Sequence, residues 1–117
     1  MKRMLSLSIL LAAGVMATGA LAHHGWSEYD ADKPQQLSGT IEASGYAQPH
    51  GFVRLKTADK TWMVVLAPPS RMENRGLAKA MIAPGAKVSV YGYPHRTKTD
   101  ELRAERISVG DKVTELR

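Results

Sequence analysis

The sequence predicts an all-β fold, a small OB-like barrel of five to six strands with a short helix between strands three and four. Three observations predict it. Apolar and polar residues alternate in short runs separated by Gly, Pro and Asp turns, which is the period of half-buried strands. One helical signal interrupts these runs, and it falls after the third. The whole set fits into about 80 residues, in the order of an OB barrel. An SH3-like barrel is the alternative, but it leaves the helix between strands three and four unexplained. Closure also removes the sheet edges that a small β protein would otherwise expose.

The first strand is read from Leu37, Gly39, Ile41 and Ala43 alternating with Ser38, Thr40, Glu42 and Ser44, with Gly45 placed to bend it. Gln48-Pro49-His50-Gly51 is turn chemistry. The second strand puts Val53 and Leu55 on one face and Phe52, Arg54 and Lys56 on the other. Ala58-Asp59-Lys60 turns into a third strand, Thr61 to Leu66, with Trp62, Val64 and Leu66 on one face. Pro68-Pro69 stops it. Ser70 and Glu73 have capping-box spacing, so a short helix is expected to about Arg75, broken by Gly76, with a further turn from Leu77 to Met81. After Pro84-Gly85, Val88 and Val90 face one way and Ser89, Tyr91 and Tyr93 the other. Pro94 to Asp100 is a polar loop. Leu102 to Val109 is a fifth strand whose alternation slips near Arg106, which predicts a bulge. Gly110-Asp111 leads to a last short strand, Val113 to Leu116.

The chain has 117 residues, and its start reads as an export signal. Lys2 and Arg3 precede an apolar run from Leu5 to Ala17, and Ala20-Leu21-Ala22 has the small-x-small form of a cleavage site. Met4 to Ala22 is also long enough for an uncleaved anchor, but Gly14, Thr18 and Gly19 dilute the run and favour cleavage. The expected organisation is a signal peptide over 1–22, an N-terminal arm over 23–35 and the barrel over 36–117. The mature protein is then a periplasmic chain of 95 residues beginning at His23, one domain with a single core. With Lys2 and Arg3 removed, the surplus of basic over acidic residues falls from five to three, a weak argument for nucleic acid. The absence of cysteine excludes a disulfide scaffold, a thiol nucleophile and Cys-based metal sites.

Two constellations carry chemistry. The first is histidine. His23 and His24 stand at the new N-terminus, and His50 and His95 each follow a proline in a loop. In an OB barrel these two loops flank the ligand face. The 13 steps from His23 to Gln36 span up to about 43 Å, and a ten-residue strand covers about 33 Å, so the arm is long enough to reach back to His50. A mature N-terminal histidine chelates through its ring and its α-amine, whose pKa is near 8. A third nitrogen from His50, or else His95, completes an all-nitrogen set that favours Cu(II) over Zn(II). By analogy this resembles the site of exported copper carriers and lytic polysaccharide monooxygenases, whose folds differ. The plain alternative is a solvated histidine tail and a turn residue bonded to backbone. Copper carriage or sensing fits this small chain better than oxygen chemistry.

The second constellation is a face on which Phe52, Arg54 and Lys56 join Tyr91 and Tyr93, aromatics interleaved with cations as in OB modules that stack bases or sugars. For an exported chain the expected ligand there is a glycan or a peptide partner, held without metal. Arg71, Arg75 and Lys79 read as a solvated face. No Ser-His-Asp or paired-carboxylate arrangement can be read from spacing, so the expectation is a binding module rather than an enzyme, with no nucleic acid partner and no membrane span after cleavage.

His23-His24-Gly25-Trp26 after a signal, Gly39-Thr40-Ile41, Pro49-His50, Trp62-Met63-Val64, Arg75-Gly76-Leu77, Pro84-Gly85 and Gly92-Tyr93-Pro94 together resemble a family of small exported bacterial proteins, domain of unknown function 6152. The likeness covers nearly all of the mature chain. It implies export and a barrel, and brings no activity. The family carries Asn-Pro-His where this chain has Gln48-Pro49-His50, which keeps the histidine and changes the amide before it.

Overall fold

The computed structural model describes residues 25–117; the expected signal peptide, His23 and His24 lie outside the described residues. The alternating runs become β1 (Gln35–Gly45), β2 (Phe52–Lys56), β3 (Thr61–Val65), β4 (Lys87–Pro94), β5 (Glu101–Val109) and β6 (Lys112–Glu115), with a helix α1 (Pro69–Asn74) and a 3-10 turn (Lys79–Ile82) between β3 and β4. The sheet order is β3-β2-β1-β4-β5-β6, and a parallel pairing of β3 with β5 closes the first five strands into a barrel. This is the all-β barrel with one helix after strand three that the patterning predicts. β6 is an extra strand. β5 shares one edge between two partners, pairing Glu101 to Arg103 with β3 and Arg106 to Val109 with β6.

The inward faces are those read from the sequence. Val53, Leu55, Val64, Val90, Leu102 and Ile107 are fully buried, and each such side chain contributes about 1.5–3 kcal/mol of burial. Two extra residues bend the strands around this core. β1 bulges at Glu42, between Ile41 and Ala43. In β5, Tyr91 opposes Arg106 and Gly92 opposes Ala104, which leaves Glu105 as the inserted residue, one position from the expected slip. Thr40 is where β1 changes partner, paired with Lys87 on one side and Lys56 on the other.

The start of α1 differs from expectation. No capping box forms at Ser70: the helix begins two residues earlier than such a cap would start it, with Pro68 at the N-cap and no side-chain cap bond. Pro69 presets the first helical turn, and the N–H groups of Arg71 and Met72 reach the Pro68 carbonyl at 3.0 and 3.2 Å. Ser70 is exposed inside that turn. Ser70→Ala is therefore expected to change stability by less than about 0.5 kcal/mol, against about 1 kcal/mol for losing a true cap, as read from urea denaturation.

The other end of α1 stops as a Schellman motif. Gly76 has φ +86, its N–H donates to the Glu73 carbonyl at 3.0 Å, and the Leu77 N–H donates to the Met72 carbonyl at 2.8 Å. The turn drops Leu77 beside Met72 in the core, both fully buried. Arg75 is exposed, as expected of a solvated face, and Arg71 is half-buried, but both also reach the end of β6. Arg71 Nη1 donates to the Leu116 carbonyl at 2.9 Å, and Arg75 Nη1 donates to the carbonyls of Glu115 and Arg117 at 2.8 and 3.2 Å. Carbonyls at the end of β6 lack ladder partners, and the two arginines supply them.

Candidate functional site at the arm–barrel junction

Two aromatic residues fix the arm to the barrel. Tyr29 is buried, and its hydroxyl donates to the Glu101 carboxylate. Burial and that hydrogen bond push its phenol far above the ordinary range. Its backbone bridges His95, with the Asp30 N–H donating to the Pro94 carbonyl and the Arg96 N–H to the Glu28 carbonyl, both at 2.9 Å. Trp26 lies next to two guanidinium groups, with Arg103 Cζ 4.5 Å and Arg117 Cζ 4.4 Å from its ring centroid. It also meets Tyr93 edge-on at 6.1 Å.

Arg103 is the centre of this junction. Phe52, Val65, Arg103 and Tyr93 follow one another in register across β2, β3, β5 and β4. Its neighbours Leu102 and Ala104 fill the barrel, so Arg103 points outward, yet it is only 6% exposed because the arm covers it. Nη1 donates to the Gly25 carbonyl at 3.2 Å. Nη2 lies 3.4 Å from His50 Nε2. A guanidinium can only donate, so Nε2 is the acceptor and the neutral ring of His50 carries its proton on Nδ1. Burial holds the His50 pKa below its ordinary value, and the Arg103 and Arg71 charges lower it further. Burial likewise pushes the Arg103 guanidinium down, with Arg71 and Arg117 adding to the effect against the opposing influence of Tyr29.

His95 is differently engaged. Its Nδ1 accepts from the backbone N–H groups of Thr97 and Lys98, both at 3.1 Å. Nε2 therefore carries the proton and donates to Glu28 at 3.2 Å, while the ring stacks edge-on with Tyr29 at 5.1 Å. Of the four sequence-predicted histidines, His50 lies at the arm–barrel junction, His95 organises its own loop, and His23 and His24 lie outside the described residues. Among the described residues, no three His, Asp or Glu side chains gather in a way that would hold a metal ion.

The expected ligand face is divided. Phe52, Arg54 and Lys56 lie on β2, with Arg54 and Lys56 exposed, while Tyr91 and Tyr93 lie on β4. These strands are not neighbours; β1 separates them on one side, β3 and β5 on the other. Arg106 sits 4.6 Å over the Tyr91 ring. The Tyr93 hydroxyl donates to Glu105 at 2.8 Å, which pushes its phenol up to about 12. Trp26 packs on the Tyr93 ring, so the protein's own arm occupies part of that face.

Sequence reasoning missed Trp26, Tyr29 and Arg103 as site residues. A signal existed for the first two: they are the aromatic bulk in an otherwise polar arm, spaced to dock twice. Arg103 had none, because alternation assigns it to solvent and only the arm changes that.

No curated protein matches the chain. The model of a family described as a family of unknown function (DUF6152) matches residues 11–103. Among solved structures, the chain is similar to part of a crystal structure of TiaS in complex with an isoleucine tRNA and ATP, at 18% identity and a TM-score of 0.52 over 76% of this chain and 20% of that one. The chain thus spans about a fifth of that protein's length, and the likeness shows the fold alone.

Proposed function

The chain belongs to the family of unknown function DUF6152, and from its own residues we propose that it is an exported binding module for Cu(II), chelated by a mature N-terminal His23 and by His50. One observation carries this reading. The Gly25 carbonyl and the His50 ring share the guanidinium of Arg103, and Gly25 is only two residues after His23. Two Cα–Cα steps of about 3.8 Å bound the distance from Gly25 to His23, which keeps a chelating terminus within reach of His50.

The chemistry supports the same reading. A low His50 pKa keeps the imidazole neutral at pH 7, and neutral imidazole is the form that binds metal. The amine and ring of His23 supply two nitrogens and His50 a third, with His24 next in line as a further donor. A tetragonal set of nitrogens suits Cu(II). His95 is left out of the set because Nδ1 accepts from two backbone N–H groups and Nε2 donates to Glu28, whereas His50 has to give up only the long 3.4 Å contact from Arg103 for Nε2 to bind the metal.

His50→Ala is expected to weaken Cu(II) binding at least tenfold, on the order of 1.4 kcal/mol, in a competition titration of the exported protein. An unchanged affinity would remove the barrel from the site and leave only a terminal chelate.

A further inference from the structure

The most deeply buried charge of the described residues lacks a counter-ion. Arg103 is 6% exposed, and its Nε is buried without a hydrogen-bond partner. Its two bonds go to neutral acceptors, the Gly25 carbonyl and the His50 ring. No ion pair joins Arg103 or Arg71 to a carboxylate of the described residues, and residues 1–24 contain no Asp or Glu. Burying an unpaired guanidinium is unfavourable, and proteins normally give such a group a carboxylate or phosphate partner.

Further positive charge converges there. α1 packs against the His50 loop: a Cβ on Gly51 would meet Met72 Cε at 2.6 Å, and the Gly51 N–H donates to the Ala67 carbonyl just ahead of the helix. Arg71 is next to Met72 in α1, and its charge acts on both His50 and Arg103. Arg117 reaches the same neighbourhood across Trp26, although it also meets Glu105 at 3.6 Å.

We propose that Arg103 and Arg71, with Arg117 at the rim, form a binding site for an oxyanion, the carboxylate or phosphate group of a small ligand. Of the five N–H donors of Arg103, two are spent on Gly25 and His50, which leaves a fork suited to bidentate oxyanion contact. Arg71 spends one donor on Leu116 and keeps others for the same ligand. The site does not depend on copper, because its donors are guanidinium groups and its charge favours an anion.

The test uses the exported chain stripped of metal with a chelator and then dialysed into a low-salt buffer. Inorganic phosphate and succinate are titrated separately, with the thermal midpoint and heat of binding recorded. The expected result is saturable one-to-one binding of at least one of them, weakened tenfold or more in Arg71→Gln. Arg103→Gln is expected to lose the response and also to lower the midpoint, since it removes the contacts with Gly25, His50 and Trp26. If Arg103→Gln does not fold, Arg71→Gln carries the test. Binding of phosphate alone assigns a phosphate group, and binding of succinate alone a carboxylate. No saturable binding of either up to about 10 mM, a concentration at which even a millimolar site would fill, or an Arg71→Gln response equal to the parent's, overturns the proposal. Either failure leaves the copper reading untouched.

Discussion

Gly39→Ala is expected to lower the thermal midpoint by about 5–20 °C, because it strikes where β1 passes from one half of the barrel to the other. An added Cβ would sit 2.2 Å from the Lys56 carbonyl oxygen and 2.8 Å from its carbon. Both are backbone atoms in the β1–β2 ladder, so no side-chain rotation relieves the clash. Forcing the strands apart costs about 1–3 kcal/mol, and in a domain of this size each kcal/mol is worth about 4–8 °C. Gly25→Ala is the control: the nearest atom to its Cβ is 4.0 Å away, at the end of the Arg103 side chain, and its midpoint should match the parent. Equal melting of both variants would mean that β1 does not make the close crossing that closes the barrel.

Trp26→Ala is expected to release the arm without opening the barrel. The ring has cationic neighbours in Arg103 and Arg117 and an aromatic one in Tyr93. Cation–π contacts contribute about 0.5–2 kcal/mol each and an edge-to-face pair about 0.5–1.5 kcal/mol, so the two cations and the pair together bound the loss at about 1.5–5.5 kcal/mol. The variant should still unfold in one cooperative step, because no barrel core residue has changed. Its arm should become cleavable in limited proteolysis, and its affinity for Cu(II) should fall about tenfold as the terminus leaves His50. An arm that stays protected would show that Tyr29 and the backbone bonds around it hold the segment unaided.

The barrel was legible because its strands follow a period of two: Val53 and Leu55 flank Arg54, Val88 and Val90 flank Ser89, and Val64 and Leu66 keep the same spacing, with each pair pointing inward. The bulge was legible for the same reason, since inserting Glu105 breaks the period of β5. Ser70 misled because capping-box spacing is a local signal, and the preceding Pro68-Pro69 starts the helix before it can act. The site was half legible. Histidines stand out in sequence, so His50 was found. Arg103 was not, because its burial depends on a segment more than 70 residues earlier in the chain, and no local pattern records that contact. His95 was legible as a loop histidine but not as an engaged one, since its bonds to Thr97, Lys98 and Glu28 depend on the fold of the loop and the arm.

The most direct test of the copper reading is a Cu(II) titration of the protein with its N-terminus verified by mass spectrometry as His23, beside a version carrying one residue ahead of His23. The extension moves the α-amine away from the His23 ring and leaves every described residue in place. One tightly held Cu(II) is expected in the form beginning at His23, bound at least a hundredfold more tightly than in the extended form, a difference of about 2.7 kcal/mol. Equal and weak binding by the two forms would contradict it, and would return attention to β2, where the half-buried Phe52 adjoins the exposed Arg54 and Lys56.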